Sequence, residues 1–300
     1  MDRAVLITNR SAGTSEERSI DDAVQVLHRG GCDVVREVCE DVAGLAGILE
    51  RRSGRDVVVA GGDGSLHAMV GALHRRRELD KPSLGLIPLG TGNDFARGCG
   101  LPLDAAEAAG VILHGRQTPV DIFLDDSGGV VVNAVHVGVG ADAGKEAASW
   151  KERIGRSGYL VGALVAGFKV DGHMLRVVVD GTVLADGSRR VLQVGVSNGP
   201  YVGGGCELNP DAVATDGLAD VVVSFSVSPL DRLAYGVHLK RGTHHRRNDV
   251  RAARATKIEV TGIGDAFWCN TDGEVAGPFR ERSWTVLPAA YRLMLPPSTG

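Results

Sequence analysis

The sequence predicts an α/β N-terminal domain built on a parallel sheet, followed by a C-terminal domain that is mainly antiparallel β-structure. Three observations predict it. Across the first 120 residues, short apolar runs of strand type alternate with helix-length segments. From about Pro119 onward, strand-like runs dominate. Two glycine-rich loops each follow a strand and precede a helix, the place where open α/β sheets receive ligands. The expected domains are residues 1–120 and 121–300, with the last residues able to pack back on the first domain.

In chain order, Ala4–Thr8 reads as the first strand. Ser15, Glu16 and Glu17 open a helix whose Ile20, Ala23, Val24 and Leu27 share a face, and Gly30-Gly31 stops it. Val34–Val38 is a second strand, Leu45–Leu49 lies in a second helix, and Val57–Ala60 is a third strand. Leu66, Met69, Val70 and Leu73 recur at helical spacing, Leu84–Pro88 is a fourth strand, and Asp104–His114 a further helix. Beyond them, Val130–Val137, Leu175–Asp180, Val191–Ser197, Asp220–Ser228, Lys257–Thr261 and Trp284–Leu287 read as strands. Ala266–Asn270 and a run from Val275 are further candidates. Asp180-Gly181 is expected to turn a hairpin, and helices are expected over roughly Lys145–Phe168, broken near Gly155, and over Leu230–Arg241.

Composition narrows the function. The 300 residues are 43% hydrophobic with 4% aromatics, enough for ordinary cores, and the 42 glycines are not periodic. A net charge of −4 argues against a nucleic-acid partner. The five cysteines form no CxxC pair, which is expected of a reduced, cytoplasmic protein. No run approaches the roughly 18 apolar residues of a transmembrane segment, and the start reads as a strand rather than a signal peptide.

The chemistry concentrates in the two loops. Gly61-Gly62-Asp63-Gly64-Ser65 lies between a strand and a helix; glycine lets backbone approach a ligand, and the helix start presents unpaired N–H groups that suit phosphate. The competing reading is a plain turn capped by Ser65. No GxxxxGK[ST] element is present. Gly90-Thr91-Gly92-Asn93-Asp94-Phe95-Ala96-Arg97 repeats the strand-loop-helix context; Asp94 is expected to bind Mg²⁺ or cap the helix. Phe95 stands where a dinucleotide fingerprint requires its third glycine.

Together these elements resemble the diacylglycerol kinase catalytic-domain family, which includes sphingosine and ceramide kinases and, more distantly, shares its first loop with NAD kinases and phosphofructokinases. Gly61–Ser65 is similar to the family's GGDG[TS] element and Gly90–Arg97 to its GTGNDFAR element. Gly203-Gly204-Gly205, Asn209-Pro210-Asp211-Ala212, Asp216-Gly217-Leu218 and Asp272-Gly273-Glu274 resemble its later motifs in family order. The resemblance implies an NAD-kinase- and phosphofructokinase-like first domain, a β-sandwich second domain, and transfer of the ATP γ-phosphate to a lipid hydroxyl, diacylglycerol first among acceptors.

It also implies roles. Asn9, Ser11 and Gly13 correspond to a phosphate-touching loop in which Arg10 replaces a proline. Cys39 falls roughly where relatives place a nucleotide-contacting Thr. Gly62 through Ser65 and Thr91 match ATP contacts. Asp216 matches the side-chain ligand of a structural Mg²⁺, completed by backbone carbonyls near Val213 and Leu218. Glu274 matches the general base, expected in a dry lipid-facing pocket, and Asp94 is the first choice for catalytic Mg²⁺. The chain departs from the family at His67-Ala68, where relatives often read Asn-Glu or His-Glu. A soluble acceptor such as NAD, or nucleotide binding without turnover, are the alternatives.

Two features lie outside those motifs. His238, His244 and His245 read as solvated rather than metal-binding. From His238 to Arg254 six basic residues face one acid, Asp249; such a patch either attracts anionic headgroups, at about 1 kcal/mol per nearby basic residue, or is a plain solvated face. The resemblance implies a protein that meets its lipid peripherally at the inner face of the membrane, and it allows a homodimer.

Overall fold

The computed structural model describes residues 1–9, 14–138, 141, 172–264 and 266–297. The helix expected over Lys145–Phe168 lies outside the described residues. Two compact units form, residues 1–121 with 288–300, and residues 122–287.

The first unit runs β1 (Arg3–Asn9), α1 (Thr14–Arg29), β2 (Asp33–Cys39), α2 (Val42–Arg51), β3 (Asp56–Gly61), α3 (Asp63–Arg75), β4 (Ser83–Pro88), α4 (Asp94–Gly98) and α5 (Ala105–His114). The strands pair in parallel in the order β2-β1-β3-β4. β1 is buried along its middle, and all six residues of β4 are buried, as a sheet covered on both faces requires. Leu6, Val58 and Ile87 of the sheet meet Ile20 and Leu27 of α1 and Ile112 of α5 in one core. Helix starts are set locally: Asp41 accepts from the Gly44 N–H at 2.7 Å, and Asp104 from those of Ala106 and Glu107 at 3.0 Å. Because β2 and β3 flank β1 on opposite sides, the chain direction of the winding reverses there, and the carboxyl ends of β1 and β3 bound a crevice.

The second unit is an antiparallel sandwich. One sheet has the order β14-β13-β10-β7-β16-β17, with β7 Ala134–Gly138, β10 Gln193–Ser197, β13 Ala219–Ser224, β14 Val250–Ala255, β16 Phe267–Thr271 and β17 Glu274–Phe279. The other joins β9 (Thr182–Val191), β8 (His173–Val179), β15 (Lys257–Gly262) and the first part of β18 (Glu281–Leu295). Val135, Val194 and Val221 of one sheet and Val177, Ile258 and Trp284 of the other share a core. The ten-residue β5 (Arg116–Asp125) and the two-residue β6 (Val130–Val131), β11 (Tyr201–Val202) and β12 (Cys206–Glu207) complete the strands among the described residues, and α6 (Pro229–Lys240) is capped by Ser228. β18 pairs antiparallel with β15 through Trp284 and, beyond Ala289 at φ 51°, parallel with β4 through Arg292 and Leu293.

Several expectations need correction. Val130–Val137 is not one strand, because the Asp272 carboxylate takes the N–H groups of Val132, Asn133 and Ala134 and breaks the ladder at 132–133. The strand expected through Ser228 ends at Ser224, where the Ser224 hydroxyl accepts from the Ser226 N–H. The hairpin at Asp180-Gly181 forms with both residues at positive φ. His244, expected in solvent, is fully buried; its Nε2 donates to the Leu208 carbonyl at 2.7 Å and its ring stands edge-on to Tyr235. Among the described residues no helix is long and apolar enough to cross a membrane.

Burial lowers the pKa of both His136 and His244 to about 4, from 6.5. The unfolded chain therefore binds protons first as pH falls. The stability these two neutral imidazoles contribute is complete above pH 6.5 and is lost between 6.5 and 4, at roughly 1.4 kcal/mol per pH unit for each. Denaturant midpoints measured over that range should fall, and His244→Gln, which keeps a donor for Leu208, should flatten the slope; an unchanged slope would contradict the assignment.

Candidate functional site

The first unit brings its two glycine loops together. Gly61 and Gly62 end β3 and enter α3, and Gly90 follows β4. The Leu89 N–H donates to the Gly61 carbonyl at 3.1 Å. A Cβ on Gly90 would lie 2.6 Å from the Gly62 Cα, and one on Gly62 would lie 2.9 Å from the Gly90 Cα, so neither loop tolerates a side chain at the crossing. Asp63 locks the pair: its two carboxylate oxygens accept from the Asp94 and Phe95 N–H groups, each at 3.0 Å. The start of α4 is thus capped from the other loop. Asn93 supplies the left-handed residue at φ 51° and donates from Nδ2 to the Gly90 carbonyl at 2.6 Å, while Arg97 Nε donates to the Gly92 carbonyl.

A cavity of about 210 Å³ opens at the carboxyl ends of β1 and β3. Its wall is built from Thr8 and Asn9, Cys39 to Asp41, and Gly64, Ser65 and Ala68 from the first turns of α3. It lies at the reversal of the strand order, where a parallel sheet directs its ligands. Gly62 is the cap residue of α3 and brings no side chain to the helix start, and Gly64 faces open space. Ser65 lies inside α3 rather than at its cap, so the plain capped-turn reading of this loop fails. The small Ala68 leaves the wall uncharged at that point. The half-exposed Cys39 thiol donates to the Asp41 carbonyl at 3.0 Å, and partial burial raises its pKa.

Most of the residues expected to bind nucleotide fall in this unit. Asn9, Cys39, Gly64 and Ser65 line the cavity. Gly61, Gly62, Asp63, Gly90, Gly92 and Asn93 form the crossing beside Thr91, which is exposed. Ser11 and Gly13 lie outside the described residues. Asp94 is buried at the start of α4; the capping role expected of it belongs to Asp63. Sequence reading missed that role, because one-dimensional spacing does not show a carboxylate reaching 31 residues ahead.

The second unit repeats the device. Asp272 and Gly273, at φ 47° and 95°, turn the β16–β17 hairpin, and the Asp272 carboxylate accepts from three consecutive N–H groups at 2.7–2.9 Å. Asn270 Oδ1 accepts from the Gly273 N–H. Glu274 follows as the first residue of β17. It is exposed to solvent, not enclosed in the dry pocket expected for it. Asn133 and His136, buried beside this turn, were not singled out from sequence; each keeps one side-chain atom without a hydrogen bond.

At the expected structural Mg²⁺ position, Asp216 Oδ1 accepts from the Leu218 N–H at 3.1 Å and Oδ2 receives Arg254. Arg254 also lies 3.5 Å from the buried Asp220, whose pKa is raised by burial and lowered by that arginine. Val213 is half exposed. A divalent ion and the guanidinium would compete for one oxygen, so these residues as placed do not fit the ion. Arg254 supplies the positive charge there.

Two substitutions test these arrangements. Gly90→Ala should cost about 1–3 kcal/mol through the clash with Gly62, seen as a lowered melting temperature, whereas Gly64→Ala, which meets nothing, should melt like the wild type; equal melting of both would remove the crossing. Arg254→Gln should melt lower and regain part of the loss in millimolar Mg²⁺ at matched ionic strength, while the wild type should not respond. A wild type raised by Mg²⁺ would restore the metal site.

Comparison with known proteins agrees with this geometry. The model of the diacylglycerol kinase catalytic domain matches residues 3–124, and that of the YegS C-terminal NAD kinase beta sandwich-like domain matches residues 133–295. A Stenotrophomonas maltophilia protein named "Probable lipid kinase YegS-like" is 32% identical, with 97% of this chain and 95% of the relative covered. A Staphylococcus aureus protein named "Diacylglycerol kinase" is 29% identical, with coverage of 92% and 87%. The crystal structure of a diacylglycerol kinase from Bacillus anthracis superposes with a TM-score of 0.80 over 100% of this chain and 99% of that one, at 24% identity, a likeness of fold alone. The chain belongs to the diacylglycerol kinase catalytic-domain family, with the YegS-type sandwich as its second half.

Proposed function

We propose that the protein is an ATP-dependent lipid kinase that transfers the γ-phosphate to a lipid hydroxyl, with diacylglycerol as the acceptor and phosphatidic acid as the product. The observation that carries the reading is the crossing of Gly62 and Gly90 beside the cavity at the ends of β1 and β3. Phosphates need close, side-chain-free backbone and the positive end of a helix, and both are present at the start of α3. The uncharged wall at Ala68 and the neutral Cys39 suit the nucleoside rather than its phosphates.

Phosphoryl transfer needs positioning and charge neutralisation more than covalent chemistry. In this reading the nucleotide enters as its Mg²⁺ complex, held by Asn9, Ser11, Gly13, Cys39, Gly61–Ser65 and Gly90–Asn93. Asp94 is the residue assigned to the ion that travels with the nucleotide. Glu274 takes the proton of the acceptor hydroxyl as its oxygen bonds to the γ-phosphorus, and the β–γ bridging bond breaks to release ADP. Because Glu274 is exposed in the free protein, the acceptor itself has to exclude water around it. The reading places the protein peripherally at the inner membrane face, where such an acceptor resides.

Incubation with labelled ATP, mixed lipid micelles and NAD tests this directly. Label is expected in the lipid extract and not on NAD. Glu274→Gln should fold and bind ATP like the wild type while transfer falls by about 10²–10⁴. Near-normal transfer would remove Glu274 as the base, and label on NAD alone would overturn the acceptor class.

A further inference from the structure

Helix α6 is amphipathic in an unusual sense. Its inner face is fixed: Tyr235 and Leu239 pack with Leu192, Val222 and Val250, and the Tyr235 hydroxyl accepts from Gln193 Nε2 at 2.8 Å. Its outer face is also apolar. Leu230 is 80% exposed, Leu233 54% and Val237 45%. At 100° per residue these three fall on one stripe with Ala234, Lys240 and Arg241, opposite the buried residues.

The charges on that stripe have one sign. Of the six basic residues between His238 and Arg254, three are used internally. Arg247 pairs with Asp249 and Asp231, Arg251 donates to the Leu184 carbonyl, and Arg254 binds Asp216. The other three, Lys240, Arg241 and Arg246, are exposed and meet no carboxylate among the described residues. Asp231, the single acid of α6, lies off the stripe; it accepts from Ser228 and is neutralised by Arg247. An apolar ridge ending in cations that pair with no carboxylate among the described residues, with no acid in its own stripe, complements a surface that is apolar within and negative at its rim. An anionic bilayer has that profile, and a helix lying in its interface plane presents those two zones to it.

We propose that the outer face of α6 is a membrane-docking surface: Leu230, Leu233 and Val237 enter the headgroup–acyl boundary, and Lys240 and Arg241 meet anionic headgroups. The proposal rests on the lipid-kinase reading for its biological sense, but its geometry is independent of Glu274 and of the glycine loops. The two together explain how a protein whose described residues hold no membrane-crossing helix reaches a water-insoluble acceptor.

The test is co-sedimentation of the full chain with vesicles of phosphatidylcholine alone and with 30% phosphatidylglycerol, beside turnover of water-soluble dioctanoylglycerol (the vesicle fraction is about what gives a strong surface potential). The wild type should bind the anionic vesicles and release them at high salt. Lys240→Gln with Arg241→Gln should lower the partition about 30-fold, and Leu230→Ser with Leu233→Ser about tenfold or more, with melting and dioctanoylglycerol turnover unchanged. Variants that bind vesicles like the wild type, or a wild type that ignores anionic vesicles, would overturn the docking face and leave the kinase reading intact. So would a dimer in size-exclusion chromatography that the leucine substitutions dissolve while vesicle binding persists, since the ridge would then belong to a second copy. Loss of vesicle binding in the variants, with no dioctanoylglycerol phosphorylated by any form, would support the docking face and sink the kinase reading.

Discussion

The first unit depends on one carboxylate. Asp63, from the loop after β3, holds two N–H groups at the start of α4 and so fixes the loop after β4 against its own. A hydrogen bond to an ionised group is worth about 1.5–3 kcal/mol net, and two from one side chain fix direction as well as distance. Without that clamp, Gly62 and Gly90 are held in contact only by the β3–β4 ladder and the Leu89 N–H bond to Gly61, and the start of α4 loses the partner that fixes its direction.

The same logic recurs in the sandwich. Asp272 spends its carboxylate on Val132, Asn133 and Ala134, and Asp216 spends its own on Leu218 and Arg254. In each Asp-Gly motif the acid organises backbone, and the glycine after it supplies the space or the positive φ; Gly217 and Gly273 both lie there. On the proposed reading, chemistry then falls to neighbours: the open Gly64 in one case, the exposed Glu274 in another. Glycine-acid motifs that look catalytic in a sequence are here largely joinery.

Much of this was legible in the residues. Alternating apolar runs located β1, β3 and β4, since parallel strands buried on both faces leave an unmistakable apolar run, whereas β2, at the sheet edge with no buried residue, shows only through its valines. The glycine loops were legible too, because few residues tolerate a strand-to-helix turn with bare backbone. The rest was hidden for definite reasons. β9 (Thr182–Val191) carries charged Asp186, Arg189 and Arg190 at exposed positions, and Ser188 to Arg190 are exposed in succession, so its apolar alternation is broken. β14, whose Arg251 and Arg254 lie on opposite faces and break the apolar alternation, reads as a charge patch rather than a strand. The role of Asp63 and the burial of His244 rest on contacts 31 and 36 residues away, which local spacing does not encode.

The family assignment fixes the scaffold, and on the proposed reading the joint between the two glycine loops is what turns that scaffold into a nucleotide site. The most direct measurement is amide hydrogen exchange of the wild-type chain with and without MgATP. The account predicts added protection at residues 61–65 and 89–95, together with the end of β1. Protection elsewhere, or none at these loops while ATP is bound, would contradict it.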